Sequence, residues 1–212
     1  MTRQNSSVRL QTGRCRTGNG IPQTESARMA PIFEKITIIG MGLIGSSIAL
    51  ATRRAALAAS ICGCDAGPDI GRRVTKLALV DRFEADPSLA VADADLVIMA
   101  VPVGAMADLS AKIVPYMKDG AVLTDTGSTK RSVVRDVSPH VGDSIHWVPS
   151  HPLAGTEHSG PEAGVVDLFD GRYWLVLPLN APEEVVAHFE SFVIGLGSVS
   201  ERMDADYHDK VT

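Results

Sequence analysis

Lys35-Ile36-Thr37-Ile38-Ile39-Gly40-Met41-Gly42-Leu43-Ile44-Gly45 is the stretch that decides the fold. The β-branched run Lys35 to Ile39 stops at a glycine and reads as a strand buried on both faces, as in a parallel sheet. The Ala/Leu/Ile-rich segment from Leu43 to Ala58 reads as a helix. Between them, Gly40, Gly42 and Gly45 have the spacing of a dinucleotide-binding turn. Gly40 allows the tight bend, Gly42 lets the backbone approach a pyrophosphate, and Gly45 lets helix and strand pack closely. Such a glycine pattern alone is weak. Its context strengthens it, because Asp65 closes the next strand, Ser60 to Asp65, 20 residues after Gly45. An acid at that position hydrogen-bonds ribose hydroxyls and repels a 2′-phosphate, which favours NAD over NADP. The N–H groups that open the helix, around Leu43 and Ile44, are free to meet phosphate oxygens.

Outward from this unit the pattern repeats. Strands are predicted at Leu96–Val101, Ala121–Thr124, Trp174–Leu177 and from Val199, with Ile145–Pro149 leading into a histidine segment. Helices are predicted at Ile70–Leu77, Ala105–Val114, Thr129–Val137 and Pro182–Ile194, with Ser128 or Thr129 as a cap. Alternating strands and helices imply an α/β Rossmann-type domain with a mostly parallel sheet. Ligands in such sheets bind beyond the carboxyl ends of the strands. The polar candidates collect there: the glycine turn, Asp65, the strand-end pair Val101-Pro102, the run Asp125 to Lys130, and His151. Asp125 fits a structural role, accepting loop N–H groups.

The chain has 212 residues, 45% of them hydrophobic and 21% charged, enough for a sizeable core. A net charge of -5 argues against nucleic acid as a partner. The longest uncharged run, Ile36 to Thr52, holds three glycines and two serines and fits strand, turn and helix better than a membrane span. Cys15, Cys62 and Cys64 form neither a disulfide framework nor a zinc spacing, and the latter two suit a strand interior. No metal site is expected, and a reducing cytoplasm fits. The first 30 residues carry five arginines against one acid, Glu25, and almost no apolar run. That composition predicts a disordered or non-native extension over 1–31, with Met29 a candidate start, though a transit peptide shares the same signature.

The segment His151-Pro152-Leu153-Ala154-Gly155-Thr156-Glu157 offers a general base downstream of the nucleotide site. With Thr124-Asp125-Thr126-Gly127-Ser128-Thr129-Lys130, Ala94 to Pro102, Ser159-Gly160, Leu168-Phe169 and the closing His208-Asp209, it resembles the prephenate/arogenate (cyclohexadienyl) dehydrogenases of tyrosine biosynthesis. The resemblance runs from about Lys35 to Asp209. It implies that His151 is the catalytic base, that Ser128 hydrogen-bonds near it and the nicotinamide, and that Glu157 helps order the substrate pocket, with Gly155 and Thr156 beside it. Lys130 could attract the substrate dianion or lie on a solvated helical turn. The resemblance further implies a homodimer built through an all-helical domain that supplies a substrate-binding arginine. Here that domain is absent or only begun: 32–203 is expected to be the NAD-binding domain and 204–212 the start of the helical one. His140, His188 and His208 read as surface residues, His146 as a strand-face residue and His158 as part of the loop. Two alternatives stand beside this reading: another hydroxy-acid dehydrogenase, and a fragment that binds NAD without turnover.

Overall fold

The computed structural model describes residues 30–212; the expected extension over 1–31 and Cys15 fall almost wholly outside them. Six strands, β1 (Phe33–Ile39), β2 (Ala58–Cys64), β3 (Arg82–Phe83), β4 (Leu96–Met99), β5 (Val122–Asp125) and β6 (His146–Trp147), form one sheet in the order β3-β2-β1-β4-β5-β6. Every pairing in it is parallel. The chain reverses direction across the sheet between β1 and β4, which opens a crevice at their carboxyl ends.

The side-chain period of two divides the core. Ile36, Ile38, Leu96 and Ile98 point to one face, where α1 (Leu43–Arg54), α2 (Ile70–Lys76) and α6 (Glu183–Gly195) pack with Phe189, Phe192 and Val193. Ile39, Val97, Met99, Cys62 and Cys64 point to the other, under α3 (Pro87–Ala90), α4 (Met106–Ile113) and α5 (Lys130–Val137). Burial on both faces explains the near-continuous apolar strands of the sequence.

A second sheet departs from the single-sheet expectation. β7 (Ser150–Pro152) pairs antiparallel with β8 (Tyr173–Val176), and β8 pairs parallel with β9 (Val199–Arg202). The chain crosses between the sheets within three residues: Val148 N–H donates to Leu123 O at 2.9 Å, and Pro149 O accepts Leu177 N–H at 2.9 Å. This switch lifts His151 off the main sheet and over the crevice. A last helix, α7 (Ala205–Val211), starts at Asp204, whose carboxylate caps Tyr207 N–H at 2.7 Å, and packs against α5.

The glycine turn is fixed sterically. Gly40 has φ +98, open to glycine at little cost, and a Cβ there would lie 2.3 Å from Ala100 O. A Cβ on Gly45 would lie 2.0 Å from Gly40 O, so helix and turn touch backbone to backbone. Gly45→Ala is therefore expected to cost about 3 kcal/mol, the upper part of the overpacking range, read as a lower urea midpoint at unchanged slope.

Candidate functional site

Two clefts meet at the switch point. One, about 460 Å³, is lined by Gly40, Gly42, Asp65, Ala66, Val101 and Pro102, with Cys64 at its wall. Burial pushes the Cys64 thiol up to about 12, so it is no nucleophile there. The other, about 420 Å³, is lined by Gly42, Leu43, Ile44, Ser128, His151 and His158 among others. Gly42, Val101 and Pro102 line both, so the two clefts share a wall; of the predicted nucleotide residues, Gly45 lines neither and is buried. A third hollow, about 400 Å³, lies elsewhere near Trp147 and Pro182 and holds none of these residues.

The first cleft fits a dinucleotide. The N-cap of α1 is Gly42, with no side chain capping the helix and no acid in its first turn. A Cβ on Gly42 would meet nothing within 4 Å, so the glycine leaves space directly over free N–H groups and the positive end of a 12-residue helix. Asp65 is held in place by accepting Met41 N–H at 2.7 Å and Gly67 N–H at 2.8 Å. Each oxygen keeps lone-pair capacity for a ribose hydroxyl.

The second cleft is organised around His151. Its Nδ1 lies 2.9 Å from His208 Nε2, and His208 Nδ1 lies 2.7 Å from Asp209 Oδ1. Its Nε2 has no hydrogen-bond partner among the described residues. Burial, then the nearby Lys130 ammonium and His208, lower the His151 pKa to about 4, against a smaller upward pull from Asp209. The ring is thus neutral at physiological pH, as a base must be.

Several expectations need correction. Lys130 lines neither cleft and is not solvated. It is fully buried, with Nζ donating to Asp125 Oδ2 and to Ser150 O at 2.6 Å. Burial lowers its pKa while Asp125 pulls the other way. Its place at the start of α5 turns it inward over β5, so its charge acts on His151 through the interior. His208 is not a surface residue either, since α7 folds back onto α5 and buries it completely. Gly155, Thr156 and Glu157 stand on an exposed loop outside the cleft. Thr156 Oγ1 accepts His158 N–H at 3.2 Å, and this turn brings His158, Ser159 and Gly160 to the wall in their place.

Ser128 lines the cleft and is exposed, but it makes no hydrogen bond to His151, whose Nδ1 is engaged by His208. Neither Ser128 nor Thr129 caps α5 with its side chain. Asp209 does so from 79 residues away, accepting Lys130 N–H at 2.7 Å and, from Arg131 N–H, a bond of 3.0 Å. Burial pushes the Asp209 carboxyl up, and the N–H groups of Lys130 and Arg131 with the His208 ring outweigh it, leaving it lowered. Asp125 holds its loop as expected, accepting Gly127 N–H at 2.7 Å and Ser150 N–H at 3.2 Å. His140 and His188 are exposed as expected, and His146 lies on β6.

A family model described as the prephenate dehydrogenase nucleotide-binding domain matches residues 48–202, well over half of the chain. The chain belongs to this family. It is 37% identical over 181 residues to the cyclohexadienyl dehydrogenase of Zymomonas mobilis, covering 85% of this chain and 61% of that one. Its structure is similar to that of prephenate dehydrogenase from Aquifex aeolicus in complex with hydroxyphenyl propionate and NAD+. That likeness has a TM-score of 0.77 at 26% identity, over 84% of this chain and 62% of that one. It is as similar to Synechocystis arogenate dehydrogenase, with a TM-score of 0.77 at 25% identity over 83% and 62%. The chain therefore spans about three-fifths of the length of these family members. Among the described residues no helix is long and apolar enough to cross a membrane.

The depressed His151 pKa has a direction for stability. As pH falls through 6.5 towards about 4, the unfolded chain takes the proton that the folded ring refuses, so acidification across this window costs stability. In ¹⁵N-edited NMR, His151 is expected to show no titration between pH 8 and about pH 5.5; a midpoint near 6.5 would contradict the buried, Lys130-influenced environment.

Proposed function

We propose that this chain is the nucleotide-binding part of an NAD-dependent prephenate or arogenate dehydrogenase, catalysing oxidative decarboxylation to 4-hydroxyphenylpyruvate or tyrosine. The observation that carries this reading is His151. A neutral histidine with Nε2 unpartnered stands in the cleft reached directly from the glycine turn. Membership of the family and the ligands of the Aquifex aeolicus relative support it.

Gly40, Gly42, Gly45 and the first N–H groups of α1 at Leu43 and Ile44 would hold the pyrophosphate, with Val101 and Pro102 as the wall beyond. NAD supplies a hydride acceptor when bound. His151 Nε2 accepts the proton of the substrate's ring hydroxyl as C4 becomes a carbonyl carbon. The carbonyl is conjugated to C1, so the C1 carboxylate leaves as CO₂ and the ring becomes aromatic. Ser128, exposed on the same wall, offers a hydroxyl to the substrate or the nicotinamide amide.

NAD is favoured over NADP for two reasons. The Asp65 carboxylate faces the ribose position, and the nearby cations are already matched. Arg72 pairs with Asp69 at 2.8 Å, and Arg73 with Glu162 through Nε at 2.8 Å. Asp65→Ser is expected to narrow the NAD/NADP affinity ratio at least about tenfold, the loss of roughly one charge-assisted contact. An unchanged ratio in calorimetric titration would remove Asp65 from cofactor selection.

No arginine or lysine lines the His151 cleft. A substrate with two carboxylates therefore takes its cation from outside this wall. This favours the second reading, in which residues 32–203 bind NAD and the helical body that opens at 204–212 completes both the substrate site and a cytoplasmic homodimer. In the full-length protein, His151→Asn is expected to lower kcat by about 10²–10⁴-fold with NAD affinity preserved. Turnover at the wild-type rate would rule out His151 as the base.

A further inference from the structure

The base does not stand alone. His208 is fully buried, on the helix that ends the described chain, and its ring lies 5.1 Å from that of His151 at 54°. It links His151 Nδ1 at 2.9 Å to Asp209 Oδ1 at 2.7 Å. Asp209 is itself immobilised by two N–H groups of α5, those of Lys130 and Arg131.

The protons can be placed in one order only if each bond has one donor. The Asp209 carboxylate is ionised and accepts, so His208 Nδ1 carries a proton and donates. For the neutral ring, His208 Nε2 is then a lone pair and accepts from His151 Nδ1–H. His151 Nε2 is left as the lone pair facing the cleft.

We propose that His208 and Asp209 are positioning residues: His208 locks His151 in the tautomer with a basic Nε2, and the Asp209 carboxylate behind it favours the imidazolium formed when His151 takes the substrate proton. The proposal deepens the reading of His151 as base and rests on it. Other groups around the ring act differently. The Lys130 ammonium opposes protonation from the α5 side, while its buried partner Asp125 and the exposed His158 on the loop make no hydrogen bond to the ring. The Asp209 carboxylate is thus the one anion connected to the base through hydrogen bonds. A merely packing role for His208 would require only its volume between α5 and β7.

The test separates these roles. In the full chain labelled with ¹⁵N-histidine, wild-type His151 is expected in the Nδ1–H tautomer. His208→Phe keeps an aromatic ring but removes the acceptor, and should shift His151 towards the Nε2–H form that free histidine favours. His208→Gln restores an acceptor oxygen and should restore the Nδ1–H form. In the full-length enzyme, His208→Phe should lower kcat about 10²-fold or more at nearly unchanged KM, with His208→Gln recovering part of it. Asp209→Asn keeps an oxygen for α5 but removes the charge, and should move the acid limb of the kcat profile. Retention of the Nδ1–H tautomer and full kcat in His208→Phe would overturn the proposal. The tautomer measurement needs no turnover. A wrong assignment of His151 as base would show instead as an active His151→Asn enzyme, while the protein that keeps His151 still shows the Nδ1–H tautomer.

Discussion

A lysine and an aspartate that never meet water hold the site together. Lys130 and Asp125 are both fully buried and paired. Around them the carboxylate and its neighbours are closely matched. Asp125 takes Gly127 N–H and Ser150 N–H, its backbone carbonyl takes Ser150 Oγ at 2.7 Å, and Trp174 Nε1 donates to that same hydroxyl at 2.9 Å. A buried pair of this kind is tolerated when its remaining lone pairs and protons are satisfied. The ammonium spans β5 and β7, since Nζ also reaches Ser150 O, the carbonyl just before His151. The same residue's backbone N–H meets Asp209. One residue therefore ties the main sheet, the small sheet and the last helix to a common point beneath the base.

This arrangement separates two electrostatic tasks. The positive end of α1 faces open space over Gly42, ready for phosphate. The positive charge of Lys130 is sealed inside, where it biases the His151 ring against protonation without offering itself to an anion. Val101 and Pro102 line both clefts, whereas Lys130 lines neither. Anion attraction and base neutrality are thereby kept from competing.

Much of this was written in local sequence. The apolar strands Ile36–Ile39 and Leu96–Met99 are legible because a doubly covered parallel sheet leaves no polar face. The glycine turn is legible because its three steric demands recur at fixed spacing. The small sheet was not, because β7 has three residues and includes a proline, and its pairing with β8 depends on a crossing that no periodicity marks. β3 and α3, at two and four residues, were too short to leave a pattern. Lys130 looked like a solvated helix start because its burial comes from β5 and β7, not from its own helix. His208 stood in a polar run, Asp204 to Lys210, and its contact with His151 spans 57 residues of sequence. The motif His208-Asp209 was the available signal; its meaning required the fold.

That long span also orders events in time. The glycine turn, Asp65 and the strands that flank them lie in the first half of the described residues, and their pairings are complete once β4 has joined β1. The last helix is made afterwards, and only its docking caps α5 and brings an acceptor to the base. During synthesis, which proceeds from the amino terminus, the residues that line the nucleotide cleft leave the ribosome before those that orient the base. A chain that lacked α7 would keep every residue lining the first cleft and lose the acceptor that His208 presents to His151.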